Sequence, residues 1–134
     1  MTGFDSNVLV YACDQRDPRR QKIALELLRA STDGVLLWQT ACEFIAASRK
    51  LDQQGFTKAD AWQRLGELMR SFPLIAPNPG VLDRARTLHV EQHWSYWDAM
   101  IVGACLEAGV SRFYSEDLPG RAAPPSLEIV NPFA

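Results

Sequence analysis

Four acidic residues in this chain, each placed after a stretch that reads as a β-strand, are candidates for chemistry. They are Asp5, Glu43, Asp98 and Asp117. If the strands are parallel and alternate with helices, all four carboxylates lie at one edge of one sheet, where open α/β proteins place their sites. Carboxylates gathered without cations repel one another, and a bound hard divalent metal ion relieves that repulsion. The pattern therefore predicts a metal centre built from oxygen ligands.

The identity of the metal follows from the residues that accompany the acids. Oxygen ligands suit Mg²⁺ or Mn²⁺, whereas zinc is bound by Cys and His side chains. Cys13, Cys42 and Cys105 have no metal-binding spacing, and His89 and His93 lie far in sequence from every acidic motif. Mg²⁺ or Mn²⁺, as one ion or two, would activate a water molecule and stabilise negative charge that develops on a bound substrate.

The elements that must position these acids alternate between strand and helix. Asp17, Thr57 and Asn78 each precede a segment with apolar residues at helical spacing, which predicts three helix starts. Strands are predicted over residues 2–5, 35–38, 72–76, 112–114 and 127–130, and further helices over residues 7–13, 41–53 and 96–107. Strands that alternate with helices in this way imply an α/β fold with a mainly parallel sheet and helices on both faces.

Length, composition and charge set the outer bounds. With 134 residues, of which 47% are hydrophobic and 22% charged, the chain is expected to be a single domain over residues 1–134. No apolar run approaches the ~18 residues of a membrane span, and the first residues lack the regions of a signal peptide. We therefore expect a cytoplasmic protein with no membrane partner. The net charge of −2 argues against a surface coated with positive charge for nucleic acid.

Helix capping is a structural alternative for two of the acids. Thr40 with Glu43, and Ser95 with Asp98, have the spacing of a capping box, in which the acid accepts a hydrogen bond from the amide at the start of the helix. Taken singly, each of these acids is better explained by capping than by catalysis.

The remaining acids also have structural explanations. Asp5 can cap the helix that begins near residue 7, and Asp117 can be a turn residue beside Pro119. Thr57 and Asp60 repeat the capping-box spacing where no strand precedes it, so this pair serves as an internal control that predicts no function.

The surroundings of Asp98 favour the metal interpretation. The helix that it opens is apolar on every face over residues 99–106, so it is predicted to be buried. Asp98 is the only charged residue of this helix before Glu107, and no Lys or Arg lies close in sequence. A carboxylate on a buried helix is costly unless it is paired, hydrogen-bonded or bound to a metal.

The motifs around the four acids resemble those of the PIN domain family. Residues 4–12 are similar to the first strand and helix of that family, with the invariant acid at Asp5 followed by Ser6 and Asn7. Residues 40–44, 96–101 and 115–118 match the later motifs in order, with their acids at Glu43, Asp98 and Asp117. The closing residues 129–133 are similar to the tail of the bacterial toxins called VapC-like.

The resemblance implies a fold, an activity and partners. The fold would be a three-layer α/β/α sandwich with a mainly parallel central sheet. The activity would be that of a Mg²⁺- or Mn²⁺-dependent endoribonuclease whose metal ligands and catalytic residues are Asp5, Glu43, Asp98 and Asp117. Toxins of this type usually form homodimers and are inhibited by a cognate antitoxin protein.

Several details around the acids stay open at the level of sequence. Ser6, Asn7 and Ser115 can hold a carboxylate or a metal-bound water in place, although Asn7 can equally well form a helix-start hydrogen bond. Glu116 lies beside Asp117, and either carboxylate can face the metal.

Support for RNA binding is thinner than support for the metal centre. A basic run, formed by Arg16, Arg19, Arg20 and Lys22, is better read as a solvated helix face than as an RNA contact. The aromatic residues of segment 93–97 can stack on a base, but side chains of this kind more often belong to a core or a dimer interface.

Three rival functions remain for comparison. An Asp-x-Asp phosphotransferase is disfavoured because the segment Asp5-Ser6-Asn7 lacks the second acid. A receiver domain would need a lysine near its last strands, and no lysine follows Lys58. The main alternative is a non-catalytic PIN-like module that docks a protein partner through its acidic pocket. Metal-dependent cleavage of RNA, lost on substitution of the acids, would distinguish the endoribonuclease from this module.

Overall fold

Five short parallel strands form the centre of the described chain. The computed structural model describes the backbone of residues 1–134 and every side chain except that of Arg121. The strands are β1 (Thr2–Phe4), β2 (Leu36–Leu37), β3 (Leu74–Ile75), β4 (Arg112–Tyr114) and β5 (Glu128–Val130). The first group pairs in the order β1-β4-β5, and β2 pairs with β3, all in parallel.

A parallel bridge between Thr2 and Gly34 joins the two groups of strands. The N–H of Thr2 donates to the carbonyl of Asp33 at 3.1 Å, and the N–H of Val35 donates to the carbonyl of Thr2 at 2.8 Å. The strand order across the fold is therefore β3-β2-β1-β4-β5. The mainly parallel sheet predicted from the sequence is confirmed.

Six α-helices of the described chain surround this sheet. They are α1 (Ser6–Tyr11), α2 (Pro18–Ala30), α3 (Trp38–Ala47), α4 (Lys58–Ser71), α5 (Pro79–Arg86) and α6 (Tyr96–Ala108). Residues Ser48–Gln54 continue α3 as a 3₁₀ helix, Thr87–Glu91 continue α5 as a π-helix, and Gly120–Ala122 form a short 3₁₀ helix. None of these helices has both the length and the apolar character needed to span a bilayer.

The core lies on both faces of the sheet because successive strand residues point in opposite directions. Phe4 and Leu36 are buried on one face together with residues of α1 to α4. Val35, Leu37 and Phe113 are buried on the other face together with residues of α5 and α6. The three-layer α/β/α arrangement implied by the resemblance is confirmed.

Helix α6 is built for close packing against α5. A Cβ atom at Gly103 would lie 3.0 Å from the carbonyl oxygen of Val81, so a larger residue would force the two helices slightly apart. Ala99 and Val102 are completely buried on the same helix. The helix ends at Gly109, whose φ of +76° is the left-handed conformation that glycine adopts easily. The predicted buried helix is therefore present, one residue longer than expected.

The junction between β2 and α3 differs from the prediction. We expected a strand through Trp38 and a helix from residue 41, but α3 begins at Trp38 directly after a two-residue strand. Leu37 precedes the helix with extended backbone angles and no side-chain cap. Thr40 consequently lies inside α3, fully buried, and its Oγ1 has no hydrogen-bond partner. The capping box that was the structural alternative for Thr40 and Glu43 is therefore absent.

The other predicted helix starts can be compared in the same way. Asp17 and Asn78 accept hydrogen bonds from the amides of Arg20 and Gly80, as N-caps do. The control pair, Thr57 and Asp60, forms both bonds of its capping box. Ser95 precedes α6 without a side-chain capping bond, so the box expected at Ser95 and Asp98 is absent.

Two of the three sites with capping-box spacing, those at Thr57 and Thr40, make a matched pair for mutation. Thr57→Val should lower the free energy of unfolding by about 1 kcal/mol, because Thr57 Oγ1 accepts a hydrogen bond from the Asp60 amide at 3.1 Å. Thr40→Val should leave the free energy of unfolding unchanged or raise it, because it replaces a buried hydroxyl that has no partner. Urea unfolding of both variants beside the parent measures the difference, and an equal loss in both would contradict these helix starts.

Candidate metal centre

Asp5 lies at the carboxyl end of β1 and accepts hydrogen bonds on both carboxylate oxygens. The amide of Ser6 donates to Oδ1 at 2.8 Å, which caps the short helix α1. The hydroxyl of Ser115, which follows the neighbouring strand β4, donates to Oδ2 at 2.7 Å. The parallel pairing of β1 with β4 brings these residues together, since their strands end at the same edge.

The electrostatic setting of Asp5 disfavours its charged form. Burial raises the pKa of Asp5, and the negative charges of Glu43 and Asp117 raise it further. The hydrogen bonds from Ser115 and Ser6 act in the opposite direction but do not cancel the increase. Burial is the main cause of this increase, and Glu43 and Asp117 lie close enough for their charges to add to it.

Glu43 is held by neutral donors on two sides. Ser6 Oγ donates to Oε2 at 3.3 Å, which links Glu43 to the start of α1. Gln39 Nε2, one helical turn earlier in α3, donates to Oε1 at 2.7 Å and also reaches the carbonyl of Trp97 at 3.5 Å. Gln39 therefore connects Glu43 to the first turn of α6.

Asp117 is exposed and is held from α1. Asn7 Nδ2 donates to Asp117 Oδ2 at 3.0 Å. The backbone of the same loop is fixed by Ser115 Oγ, which accepts from the amides of Asp117 and Leu118 at 3.2 Å each. Ser115 thus fastens the loop after β4 and contacts Asp5 with the same hydroxyl.

Glu116, the neighbour of Asp117, turns to other partners. The hydroxyl of Tyr11 donates to Oε1 at 2.7 Å, and Nε of Arg20 donates to Oε2 at 2.8 Å. Partial burial by itself would raise the pKa of Glu116, but the bonds from Tyr11 and Arg20 and the charge of Arg20 hold it below its usual value. The bond to Glu116 also raises the pKa of Tyr11 to about 12. Both carboxylate oxygens of Glu116 are therefore occupied by strong donors.

Asp98 stands apart from the other three predicted acids. It lies half-buried in the first turn of α6, and no hydrogen bond or ion pair joins it to any described side chain. Its link to the cluster is indirect, through the adjacent carbonyl of Trp97 and Gln39. The structure thus brings Asp5, Glu43 and Asp117 together and leaves Asp98 at the margin.

The donors at this edge of the sheet fit a hard divalent cation, although they are not drawn tightly together. Among the described residues, no group of three or more His, Cys, Asp or Glu side chains is compact enough to hold a metal ion. The Oδ1 atom of Asn7 is nevertheless buried with no hydrogen-bond partner in the described part of the chain, and it adds an unused oxygen beside Asp117. Oxygen donors from carboxylates and an amide are the ligands that Mg²⁺ and Mn²⁺ accept.

Comparison with known families supports the fold. The model of the PIN domain matches residues 4–118. The chain belongs to the PIN domain family. The matched segment begins just before Asp5 and ends just after Asp117, so it contains all four predicted acids.

Two solved structures share the PIN fold with this chain. A toxin-antitoxin complex from Klebsiella pneumoniae has 19% sequence identity, a TM-score of 0.69 and 98% coverage of both chains. PAE2754 from Pyrobaculum aerophilum has 18% identity and a TM-score of 0.63, covering 96% of this chain and 87% of that one. At such low identity these likenesses establish the fold alone. No curated protein sequence matches the chain.

Two groups of residues in this PIN domain have positions that the sequence left open. In the basic run, Arg16 contacts Asp14, Arg19 donates to the carbonyl of Phe133 and Arg20 binds Glu116, so these three side chains are used within the chain. In the aromatic segment, Trp94 is buried, whereas Tyr96 and Trp97 are exposed by 47% and 66%.

Gln39 is the contact that sequence reasoning missed. It precedes Glu43 by four residues, which places both side chains on one helix face. That signal was visible only if the helix was taken to begin at Trp38, as it does.

Asp5→Asn tests the mutual repulsion in protein freed of metal with EDTA. Because burial and neighbouring charge raise the pKa of Asp5 above 3.8, protonation favours the folded state. The stability contributed by protonated Asp5 is present below that value and is lost as pH rises through the higher folded pKa. We expect the Asn variant to be at least as stable as the parent near pH ~7, with no advantage at low pH.

Asp60→Asn is the matched control for this titration. The hydrogen bond from the Thr57 amide lowers the pKa of Asp60, so its contribution is present at neutral pH and is lost as pH falls. Urea unfolding over a series of pH values should therefore give opposite signs for the two variants. A loss of stability in metal-free Asp5→Asn at neutral pH would mean that Asp5 acts mainly as the cap of α1.

Proposed function

We propose that this PIN domain is a Mg²⁺- or Mn²⁺-dependent endoribonuclease that cleaves RNA phosphodiester bonds. One observation carries the proposal: the charges of Glu43 and Asp117 act on Asp5, yet neither these three acids nor Asp98 form an ion pair with any Lys or Arg that the structure describes. A negative cluster held only by neutral donors is the arrangement that a metal ion completes. Membership of the PIN family supports the same activity, because PIN domains are generally nucleases.

The proposed ligands of the metal are the four acids at the carboxyl edge of the sheet, Asp5, Glu43, Asp98 and Asp117. A bound Mg²⁺ or Mn²⁺ supplies an activated water and a counter-charge for the phosphate. Asp117 is exposed, so the cluster is open to a substrate from the side of the loop after β4.

Two serines orient the carboxylates before any ligand binds. Ser6 donates its amide to Asp5 and its hydroxyl to Glu43, which fixes one oxygen of each acid with respect to the other. Ser115 fixes the second oxygen of Asp5. Contacts of this kind orient ligands and maintain their geometry, which is the role that outer contacts have at metal sites.

Gln39 has a related role at the second oxygen of Glu43. It binds Oε1 of Glu43 and reaches the carbonyl of Trp97, the residue before Asp98. Through this side chain, the helix that carries Glu43 is joined to the helix that carries Asp98. Glu43 and the residue that precedes Asp98 are therefore linked by one amide.

RNA as the substrate, and the role of a toxin, follow from the resemblance of the motifs to VapC-like proteins. One structure with the same fold is a toxin-antitoxin complex, which supports a protein inhibitor as a partner. The exposed rings of Tyr96 and Trp97, next to Asp98, are suited to contact the bases of a single strand. We propose that the protein acts in the cytoplasm as a homodimer whose activity is blocked by a cognate antitoxin.

Glu43→Gln is the variant that tests this function most directly. Glu43 does not cap α3, so the amide should leave the thermal stability of the metal-free protein near that of the parent. Gln lacks the negative charge that a hard cation requires. We expect weaker Mg²⁺ or Mn²⁺ binding and a fall in RNA cleavage of at least ~10²-fold, about 2.7 kcal/mol of transition-state stabilisation.

Three controls frame that experiment. EDTA should stop cleavage by the parent, and added Mg²⁺ or Mn²⁺ should restore it. Asp60→Asn, at a capping box away from the acids, should cleave RNA as the parent does. Cleavage that persists in chelator, in a preparation free of contaminating nuclease, would contradict the proposal, as would full activity in Glu43→Gln. A stable protein that binds a partner but never cleaves RNA would favour the non-catalytic alternative.

The proposed antitoxin should present an Arg or Lys to the acidic cluster. The motivation is that none of the four acids has a cationic partner among the described residues. A bidentate guanidinium could be that partner in place of a metal. The antitoxin should therefore compete with Mn²⁺ in a titration, and replacing its inserted Arg or Lys by Gln should abolish that competition. Undiminished Mn²⁺ binding by the inhibited complex would show that inhibition acts elsewhere.

A further inference from the structure

A cluster of charged and aromatic side chains lies beside the proposed metal centre without containing any of its four acids. The Arg20 cluster, as we call it, consists of Tyr11, Arg20, Glu116 and Phe133. Arg20 is its centre, since Nε donates to Glu116 Oε2 at 2.8 Å and Nη1 donates to Asp17 Oδ2 at 3.2 Å. The guanidinium therefore binds one carboxylate from the start of its own helix, Asp17, and one from the distant loop after β4, Glu116.

The guanidinium of Arg20 is also held by two aromatic rings. Its Cζ lies 5.3 Å from the ring centroid of Tyr11 and 5.8 Å from that of Phe133. The two rings pack edge to face with 5.0 Å between centroids, and Arg19 Nη2 donates to the carbonyl of Phe133 at 2.6 Å. Stacking and ion pairing together restrict a side chain that would otherwise be free to move.

The Arg20 cluster reaches the metal centre through two consecutive residues. Glu116 is bound by Tyr11 and Arg20, and the next residue, Asp117, is bound by Asn7. Asn7 and Tyr11 lie four residues apart on α1, so they project from one face of that helix. The loop after β4 is thus fastened to α1 at two adjacent points. Of these two points, Glu116 carries the ion pair, whereas Asp117 has one neutral amide donor.

We propose that Arg20 is a positioning residue for Asp117, acting through Glu116. By occupying Glu116, Arg20 keeps that carboxylate away from the metal centre and sets the backbone so that Asp117 meets Asn7. Arg20 touches none of the four acids itself. The inference rests on the proposed function in so far as Asp117 is a metal ligand, but the geometry of the loop can be tested without metal.

The first measurement follows the side-chain amide of Asn7 by nuclear magnetic resonance in metal-free protein. In the parent, its signals should show the protection of an amide that is bonded to Asp117. Arg20→Gln should move them toward the values of a free amide. Arg84→Gln is the matched control, because Arg84 Nε binds Glu107 Oε2 at the same distance of 2.8 Å, on the face of the sheet covered by α5 and α6. It should leave the Asn7 signals unchanged.

The second measurement is the dissociation constant for Mn²⁺, for which charge and positioning predict opposite signs. Loss of a positive charge near the acids would by itself tighten Mn²⁺ binding. Loss of positioning should weaken it by roughly tenfold, as the removal of outer contacts does at other metal sites. In an Asp117→Asn background, where the positioned ligand is already lost, Arg20→Gln should have no further effect on the dissociation constant.

The outcomes separate this inference from the proposed function. Unchanged Asn7 signals, tighter Mn²⁺ binding, or a tenfold loss that persists in the Asp117→Asn background would each overturn the role of Arg20. If the parent binds no Mn²⁺, the proposed function fails, and the Asn7 signals still decide whether Arg20 positions Asp117. Should Arg20→Gln fail to fold, Arg20→Lys takes its place, since it keeps the charge and loses the planar fork that binds two carboxylates.

Discussion

The repulsion between carboxylates gathered at one edge of a parallel sheet is the constraint on which the rest of this structure depends. Parallel pairing makes the strands end together, so acids that follow β1 and β4 must meet. Neutral donors hold the carboxylate oxygens of these acids in place without neutralising their negative charge. The donors are Ser6, Asn7, Gln39 and Ser115. Burial, and to a smaller extent the charges of Glu43 and Asp117, raise the pKa of Asp5 in spite of these donors. The charged form of Asp5 is therefore unfavourable in these surroundings, and a bound cation would stabilise it.

The layers on either side of the sheet carry the stability that such a cluster cannot provide. Phe4 and Leu36 pack under α1 to α4, while Leu37 and Phe113 pack under α5 and α6. Burying one such side chain contributes about 1.5–3 kcal/mol relative to leaving it exposed. A few of these side chains therefore stabilise the fold by more than one unfavourably placed carboxylate destabilises it. The packing also fixes the strand ends with respect to one another, and the acids gain their geometry from it.

How far the sequence predicted the structure depends on whether the signal was local. Helix starts at Asp17, Asn78 and Thr57 were predicted correctly because each depends on a hydrogen bond between a side chain and a backbone amide two or three residues later. The start of α3 was missed because Leu37 enters the helix directly from a strand, with no capping side chain to mark it. The placement of Glu116 could not be foreseen, since its partners Tyr11 and Arg20 lie about a hundred residues away in the chain. The gathering of the acids was predicted because topology alone brings strand ends together, whereas the distance of Asp98 from them depends on how α6 packs.

The partners of each acid distinguish structural carboxylates from those available for chemistry. Asp60 is satisfied by a capping box, and Glu107 and Glu116 by arginines, so each of these charges is already used by the fold. Among the described side chains, only neutral groups donate hydrogen bonds to Asp5, Glu43 and Asp117, which orients an oxygen but leaves its charge free. The contrast is clearest between Glu116 and Asp117, which are adjacent in sequence. Arg20 binds Glu116, whereas the amide of Asn7 binds Asp117. A carboxylate with an arginine partner must lose that partner before it can bind a cation, whereas one held by an amide can bind a cation and keep its donor. By this criterion Asp117 is better suited than Glu116 to the role of metal ligand that we propose for the fourth motif.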